Sequence, residues 1–262
     1  MCYCKKCGFS WYDRRLSNEE ETKLYCGYRS EEYQLMREKY EPEYTKELNY
    51  LLGHDDDDLK QKQKLLTQIL KKWDVLPIQN ALDYGGDLGQ RYPTDIPIKN
   101  KYVYDISGIK PLDGIINIPT YENAGNINFD FIMCNHTLEH VGDLDMFISL
   151  VSSLGRKGTW FYFEVPFDSP FYPHTQLHTP ISILKTYLWR MKIYANILLP
   201  KLIPRRFRIT YEMHEHINFF TPKSIQNFLE RNGFEIYDNK TKVTKGKALG
   251  ITYVVSILCK KK

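Results

Sequence analysis

The sequence predicts an α/β fold built around an open sheet, and three observations carry that expectation. The run ALDYGGDLG at 81–89 is a short apolar strand that ends in an acid and enters three glycines, the pattern by which a backbone approaches a nucleotide-like ligand closely. The run DFIMCNHTLEHV at 130–141 is a second strand that opens into a polar cluster. Seven β-branched or aromatic runs, near 80–84, 102–106, 114–118, 130–134, 158–165, 234–241 and 250–259, are bounded by glycine or polar turns. Ligands of open α/β sheets bind beyond the carboxyl ends of the strands. That is where Asp83, Asn135, His136, Glu139 and His140 are expected.

Taken in order, residues 1–72 form a cysteine-rich and helical extension, and 73–262 the α/β domain with an insertion at 167–220. Cys2, Cys4, Cys7 and Cys26 crowd the N-terminus, and C-K-K-C-G is the tight turn that zinc knuckles use. Four thiolates could complete a tetrahedron, although the knuckle lacks a second C-x-x-C, so less than one zinc per chain is expected. Residues 17–72 read mainly as helix, with Ser17 and Glu20 spaced as a capping box. Tyr28, Arg29, Tyr33, Arg37 and Tyr40 fall at near-helical spacing, as a packing face or as a cover over the ligand mouth, with Tyr28, Arg29 or Tyr33 meeting the ligand or acceptor. His54–Asp58 reads as a solvated loop before a helix rather than a metal site. After Gly89 a helix is expected to point its free N–H groups at the bound group. DLDMFISLVSSLG reads as a helix, GTWFYFEVP as a buried strand stopped by Pro166, and TPKSIQNFLERNGF as a helix with Thr221 as N-cap and Gly233 past its end.

Composition narrows the class. With 262 residues, 42% hydrophobic and 26% charged, the chain can bury a large core and is neither disordered nor membranous. A net charge of +4 gives no strong nucleic-acid footprint, leaving the basic stretch Lys201–Arg208 as a solvated loop or a phosphate contact. The chain opens on cysteines and charges, which predicts no signal peptide and a reducing cytoplasm. Cys134 and Cys259 lie in apolar strands and read as buried hydrophobes. ISILKTYLWRMKIYANILLPKLI is interrupted by Lys185, Arg190, Lys192 and Asn196, so a transmembrane helix is not expected; an amphipathic lid, a dimer contact or an interfacial patch stays open, as does the choice between monomer and homodimer.

From the glycine loop onward, residues 75–262 resemble the class I S-adenosylmethionine-dependent methyltransferases. The resemblance implies a Rossmann-like seven-stranded sheet with the last strand antiparallel, and an insertion before the sixth strand. It implies that Asp83, Gly85, Gly86 and Gly89 hold the methionine part of S-adenosylmethionine, with Asp87 where the family usually has glycine. The acid ending the next strand binds the ribose in that family; here KYVYDIS supplies Asp105, with Ile106 beside it, 22 residues after Asp83, close to the usual interval of about 20. Asn135 would border the methyl, and Tyr28 and Tyr33 would cover the cofactor.

The N-terminus further looks like half of the zinc module of sugar C-methyltransferases. In that group a Tyr-x-Glu-His motif works on the sugar, and here Met213, His214, Glu215 and His216 stand in its place, so Glu215 and His216 carry over and the tyrosine does not. Methyl transfer to oxygen or carbon requires alignment and removal of a proton, and histidine titrates in the useful range. His216 is therefore the expected base, oriented by Glu215, with His136 as a further catalytic residue. His140, His174, His178, His214 and Arg29 are acceptor candidates. The expected acceptor is a sugar, a nucleotide-linked sugar or a phosphoramidate precursor of a surface (capsular) polysaccharide, methylated on oxygen or carbon. An RNA methyltransferase and a catalytically inactive cofactor-binding protein are the alternatives.

Overall fold

The computed structural model describes residues 1–28, 30–40, 44–167, 215–246 and 250–262. All seven expected strands are present as β3 (Ile78–Tyr84), β4 (Ile98–Tyr104), β5 (Ile116–Asn117), β6 (Phe131–Asn135), β7 (Trp160–Pro166), β9 (Phe234–Gly246) and β10 (Gly250–Lys261). They form one sheet in the order β5-β4-β3-β6-β7-β10-β9. The strands from β5 to β7 pair in parallel, and β10 runs antiparallel to both β7 and β9. The order reverses between β3 and β6, whose carboxyl ends therefore bound a crevice.

Each face of the sheet is covered. On one side Leu65, Leu66, Ile69 and Leu70 of α4 (Asp56–Lys72) pack on Ile78, Ala81, Phe131 and Met133. Full burial of such a side chain contributes about 1.5–3 kcal/mol, so α4 packs as one of the layers that cover the sheet. On the other side α6 (Leu144–Ser153) and α7 (Pro222–Arg231) bring Ile148, Val151, Ile225 and Leu229 onto Ile132, Phe161, Phe163 and Val255. Thr221 caps α7 in a reciprocal pair with Ser224, and Gly233 follows at φ +83°, as the sequence predicted.

Before the sheet lie α1 (Asn18–Tyr25), α2 (Glu31–Tyr40) and α3 (Lys46–His54). Ser17 and Glu20 make the expected capping box. Asp55 caps α4, and Asp56–Asp58 form its first turn rather than a loop, where carboxylates complement the positive end of the helix. A small second sheet joins β1 (Cys2–Tyr3), β2 (Ser10–Trp11) and β8 (Asn218–Phe219) in that order, so the first eleven residues are tied to the chain just before α7.

No helix forms between β3 and β4. The connection carries Gly85, Gly86, Gly89, Pro93 and Pro97 in thirteen positions, too many breakers for a helical run, and it is pinned instead by Tyr92, whose buried hydroxyl reaches the carbonyls of Ala81 and Tyr102. The short α5 (Tyr121–Gly125) precedes β6. Most of the expected insertion, with His174, His178, His214, the amphipathic stretch and Lys201–Arg208, lies outside the described residues, as does Arg29. Among the described residues no helix is long and apolar enough to cross a membrane.

Candidate active site

The glycine loop is shaped by close contacts on every side. Gly85 and Gly89 adopt φ +71° and +73°, and a Cβ on Gly85 would stand 2.7 Å from Thr137 Oγ1. At Gly86 a Cβ would fall 2.4 Å from Cγ of Asp83, so only glycine lets the loop fold over that carboxylate. Asp87 also adopts a left-handed φ of +54°, which Asp tolerates better than most residues. Its N–H donates to Asp105 Oδ2 at 2.8 Å, while Ser107 N–H donates to Oδ1 at 2.8 Å. Asp105 thus locks the β3 and β4 loops together, and each oxygen keeps a lone pair for a further donor. Beside it, Ile106 is 52% exposed, an apolar surface at the rim of the crevice.

Asp83 is fully buried at the end of β3. Asn135 donates to its Oδ1 at 3.4 Å, and Oδ2 has no hydrogen-bond partner. Burial pushes its pKa up to about 7, partly opposed by Arg91. The carboxyl is therefore poised between neutral and charged, and a cation arriving at Oδ2 would ionise it.

On the far side of Asn135 the chain turns through His136, at φ +52°, into a compact cluster. His136 Nε2 lies 3.0 Å from Glu164 Oε1 and 3.2 Å from Lys62 Nζ, and its Nδ1 lies 3.2 Å from Glu139 Oε1. Glu139 is fully buried, yet neither of its oxygens receives a directed hydrogen bond. Burial raises its pKa, but the imidazoles of His136, His140 and His216 outweigh that and hold it well below the usual carboxylate range. Glu164 is likewise held low against burial, by His136 and Lys62, and also accepts from Tyr162. His140 is pushed down to about 4, chiefly by burial. Its Nδ1 contacts the Glu215 carbonyl at 3.0 Å, and its ring meets His216 edge-on, centroids 4.8 Å apart.

His216 reaches this cluster because the backbone around it is stitched to the turn after β6. Ile217 N–H and Asn218 N–H both donate to the Glu139 carbonyl, at 2.8 and 3.0 Å, and the Asn218 amide reaches the carbonyls of Leu138 and Val141. Arg15 closes the stitch on Asn218 Oδ1 at 2.8 Å.

The expectation for Glu215 changes. Its carboxylate is taken by Arg37 of α2 at 2.6 Å and by the Tyr28 hydroxyl at 3.3 Å, so it anchors the N-terminal extension, and its carbonyl serves His140. Tyr28 and Tyr33 stand on this side of the crevice, in an edge-to-face series running from His140 through Tyr25, Tyr28 and Tyr33 to Tyr44. A guanidinium can meet a carboxylate with charge-assisted hydrogen bonds, and no local sequence pattern marks a partner so distant. Nor do the four N-terminal cysteines assemble. Cys4 and Cys7 face each other in the knuckle, but among the described residues the one set of three or more potential metal-ligating side chains in mutual reach is Glu139, His140 and His216; Cys26 is exposed on its own helix end.

A family model for a methyltransferase domain matches residues 36–239. The chain belongs to that methyltransferase family. It is an enzyme, and S-adenosylmethionine is its methyl donor. In fold it is similar to an S-adenosylmethionine-dependent methyltransferase from Anabaena variabilis, at 10% identity and TM-score 0.53, covering 97% of this chain and 99% of that one. It is similar again to the 1,6-didemethyltoxoflavin-N1-methyltransferase of Burkholderia thailandensis, with bound 1,6-didemethyltoxoflavin and S-adenosylhomocysteine, at 13% identity and TM-score 0.51, covering 100% and 99%. No curated protein compared with the sequence matches it. The residues of the methyltransferase's loop suit its donor: Asp83 holds a buried, unpartnered oxygen directly beneath Gly86, and Asp105 with Ile106 offers an acid and an apolar face side by side.

Lys62, Glu164 and Asn218 were not singled out by the sequence, and Arg37 was read only as part of a helical face, without its partner Glu215. Glu164 had a readable signal, an acid near the end of an otherwise apolar strand, as at Asp83; the other three are set by tertiary contacts alone.

Proposed function

We propose that this methyltransferase acts on a hydroxyl of a small molecule, of the sugar or nucleotide-linked kind from which surface polysaccharides are made. The observation that carries the reading is the link Asp83–Asn135–His136, which sets the cofactor loop directly against three imidazoles around one buried carboxylate. The sugar class rests on the resemblance of Glu215–His216 to the sugar methyltransferase motif. S-adenosylmethionine supplies a methyl on a cationic sulfur; transfer moves it to the acceptor atom, returns the S–C electron pair to sulfur and frees the acceptor's proton. Asp83 and the Gly85–Gly89 loop hold the donor's amino-acid end, Asp105 its ribose, and Ile106 lies under its base. Asn135 and His136 border the transferred methyl. His216 takes the acceptor's proton, with His136 as the second imidazole, and Glu215 keeps the approach to His216 closed through Arg37. His140 borders the acceptor, and His174, His178, His214 and Arg29 are proposed to complete its pocket.

The test is mass-detected methylation of a panel of nucleotide-linked sugars. His216→Ala is expected to keep cofactor affinity and lower turnover about 10²–10⁴-fold, the usual worth of a positioned base. Full activity in His216→Ala removes it as the base, and no methylation of any sugar in the panel removes the acceptor class.

A further inference from the structure

We propose that Glu139, His140 and His216 form a site for one divalent transition-metal ion of the zinc class, which holds the oxygen of the methyl acceptor. Each side chain offers one donor atom, and the three donors lie within 4.8 Å of one another. Two imidazole nitrogens and one carboxylate oxygen are the ligand set of open, catalytic zinc sites, and nitrogen donors disfavour magnesium and calcium.

Two details point to a cation at this spot. The first is the Glu139 carboxylate, fully buried, with His136 Nδ1 at 3.2 Å from Oε1 outside good hydrogen-bond geometry and no partner on Oε2, an arrangement that is costly for an anion unless a further positive charge meets it. The second is the tautomer of His140. Its Nδ1 contacts the Glu215 carbonyl at 3.0 Å; a carbonyl only accepts, so Nδ1 carries the hydrogen and Nε2 of the neutral ring is a bare lone pair. That lone pair stands 4.0 Å from Glu139 Oε1. Two electron-rich atoms facing across such a gap repel, and a metal ion between them satisfies both. A ring N–H held by a backbone carbonyl is also the usual support of a metal-bound histidine.

His216 supplies the third donor, held against His140 by the bonds from Ile217 and Asn218 to the Glu139 carbonyl. Ligation at about 2.0–2.2 Å in a tetrahedron needs donors roughly 3.3 Å apart, so the side chains must close by rotation. The role of the ion in catalysis rests on the methyl-transfer reading; its binding does not. With the ion present, His216 is a ligand in place of the base role proposed above, an acceptor hydroxyl occupies an open position where the ion lowers its pKa, and its proton passes to water as the O–C bond forms and the S–C bond breaks. Lewis-acid activation of this kind selects oxygen acceptors.

The experiment titrates cobalt(II) into chelator-stripped enzyme and reads visible ligand-field absorption, with bound zinc counted separately by elemental analysis. One equivalent is expected in the wild type and in Cys4→Ser/Cys7→Ser, with affinity at least 10-fold weaker in Glu139→Gln and in His216→Ala. Calorimetry of S-adenosylmethionine on the same variants shows that they are folded, and separates loss of the metal from loss of the methyltransferase reading. Should Glu139→Gln fail to fold, His216→Ala alone decides. No cobalt spectrum in the wild type, affinity unchanged in the variant that folds, or loss of the ion only with the cysteines overturns the site.

Discussion

Arg37 and Glu215 are joined at 2.6 Å across 178 residues of sequence, each side chain less than 15% exposed. The pair binds α2 to the residue preceding His216, and Arg37 also lies over the Tyr44 ring at 3.9 Å. A double-mutant cycle of Arg37→Met and Glu215→Gln is expected to show a coupling energy of about 1–3 kcal/mol in urea unfolding. Additive effects would remove the pair as the anchor of the extension.

Asp83 makes stability depend on pH. Its native pKa is raised from 3.8 to about 7, so the folded state binds the extra proton and the stabilisation is present at low pH. It declines as pH rises from about 4 to about 7 and is flat above. Thermal melts of the cofactor-free protein between pH 5 and 8 should show this decline, and Asp83→Asn should lose it. Cofactor affinity should move the other way, strengthening as Asp83 ionises to meet the ammonium. A melt profile identical in wild type and variant would refute the assignment.

The Asp87–Asp105 bond separates backbone from side chain. Asp87→Gly keeps the N–H and suits the left-handed φ, so calorimetry is expected to find cofactor affinity within about 3-fold of wild type, whereas Asp87→Val strains the loop. Asp105→Ala removes the acceptor for two backbone N–H groups and for the ribose, and should weaken binding by about 1.5–3 kcal/mol.

Thr221 both caps α7 and donates its hydroxyl to the Cys7 carbonyl at 2.7 Å. Thr221→Ala is expected to cost about 1–2 kcal/mol, with Thr221→Ser recovering most of it; equal unfolding midpoints for all three proteins would contradict the double role.

Strands and helix caps were legible because each is written within a few residues: alternation and β-branching in β3 and β10, Ser17 with Glu20, Thr221 before Pro222. The same local reading placed Asp83, Asp105 and the polar edge after β6. It failed at residues 85–97, where a generic strand–helix–strand unit was assumed despite prolines at 93 and 97. It failed again for Glu215, since a pairing with Arg37 obeys no periodicity. The small sheet β1-β2-β8 was also hidden, because a two-residue strand carries no pattern of its own.

The chain leaves the main sheet at Phe167, whose N–H bonds to the Tyr253 carbonyl, and rejoins the described structure where Ile217 and Asn218 bond to the carbonyl of Glu139. Both attachments use main-chain atoms, so neither depends on the identity of the side chains between them. On the acceptor role proposed above for residues 168–214, acceptor preference can therefore drift, or be transplanted between relatives, by exchanging that segment as a cassette while the donor loop and the histidine cluster keep their attachments.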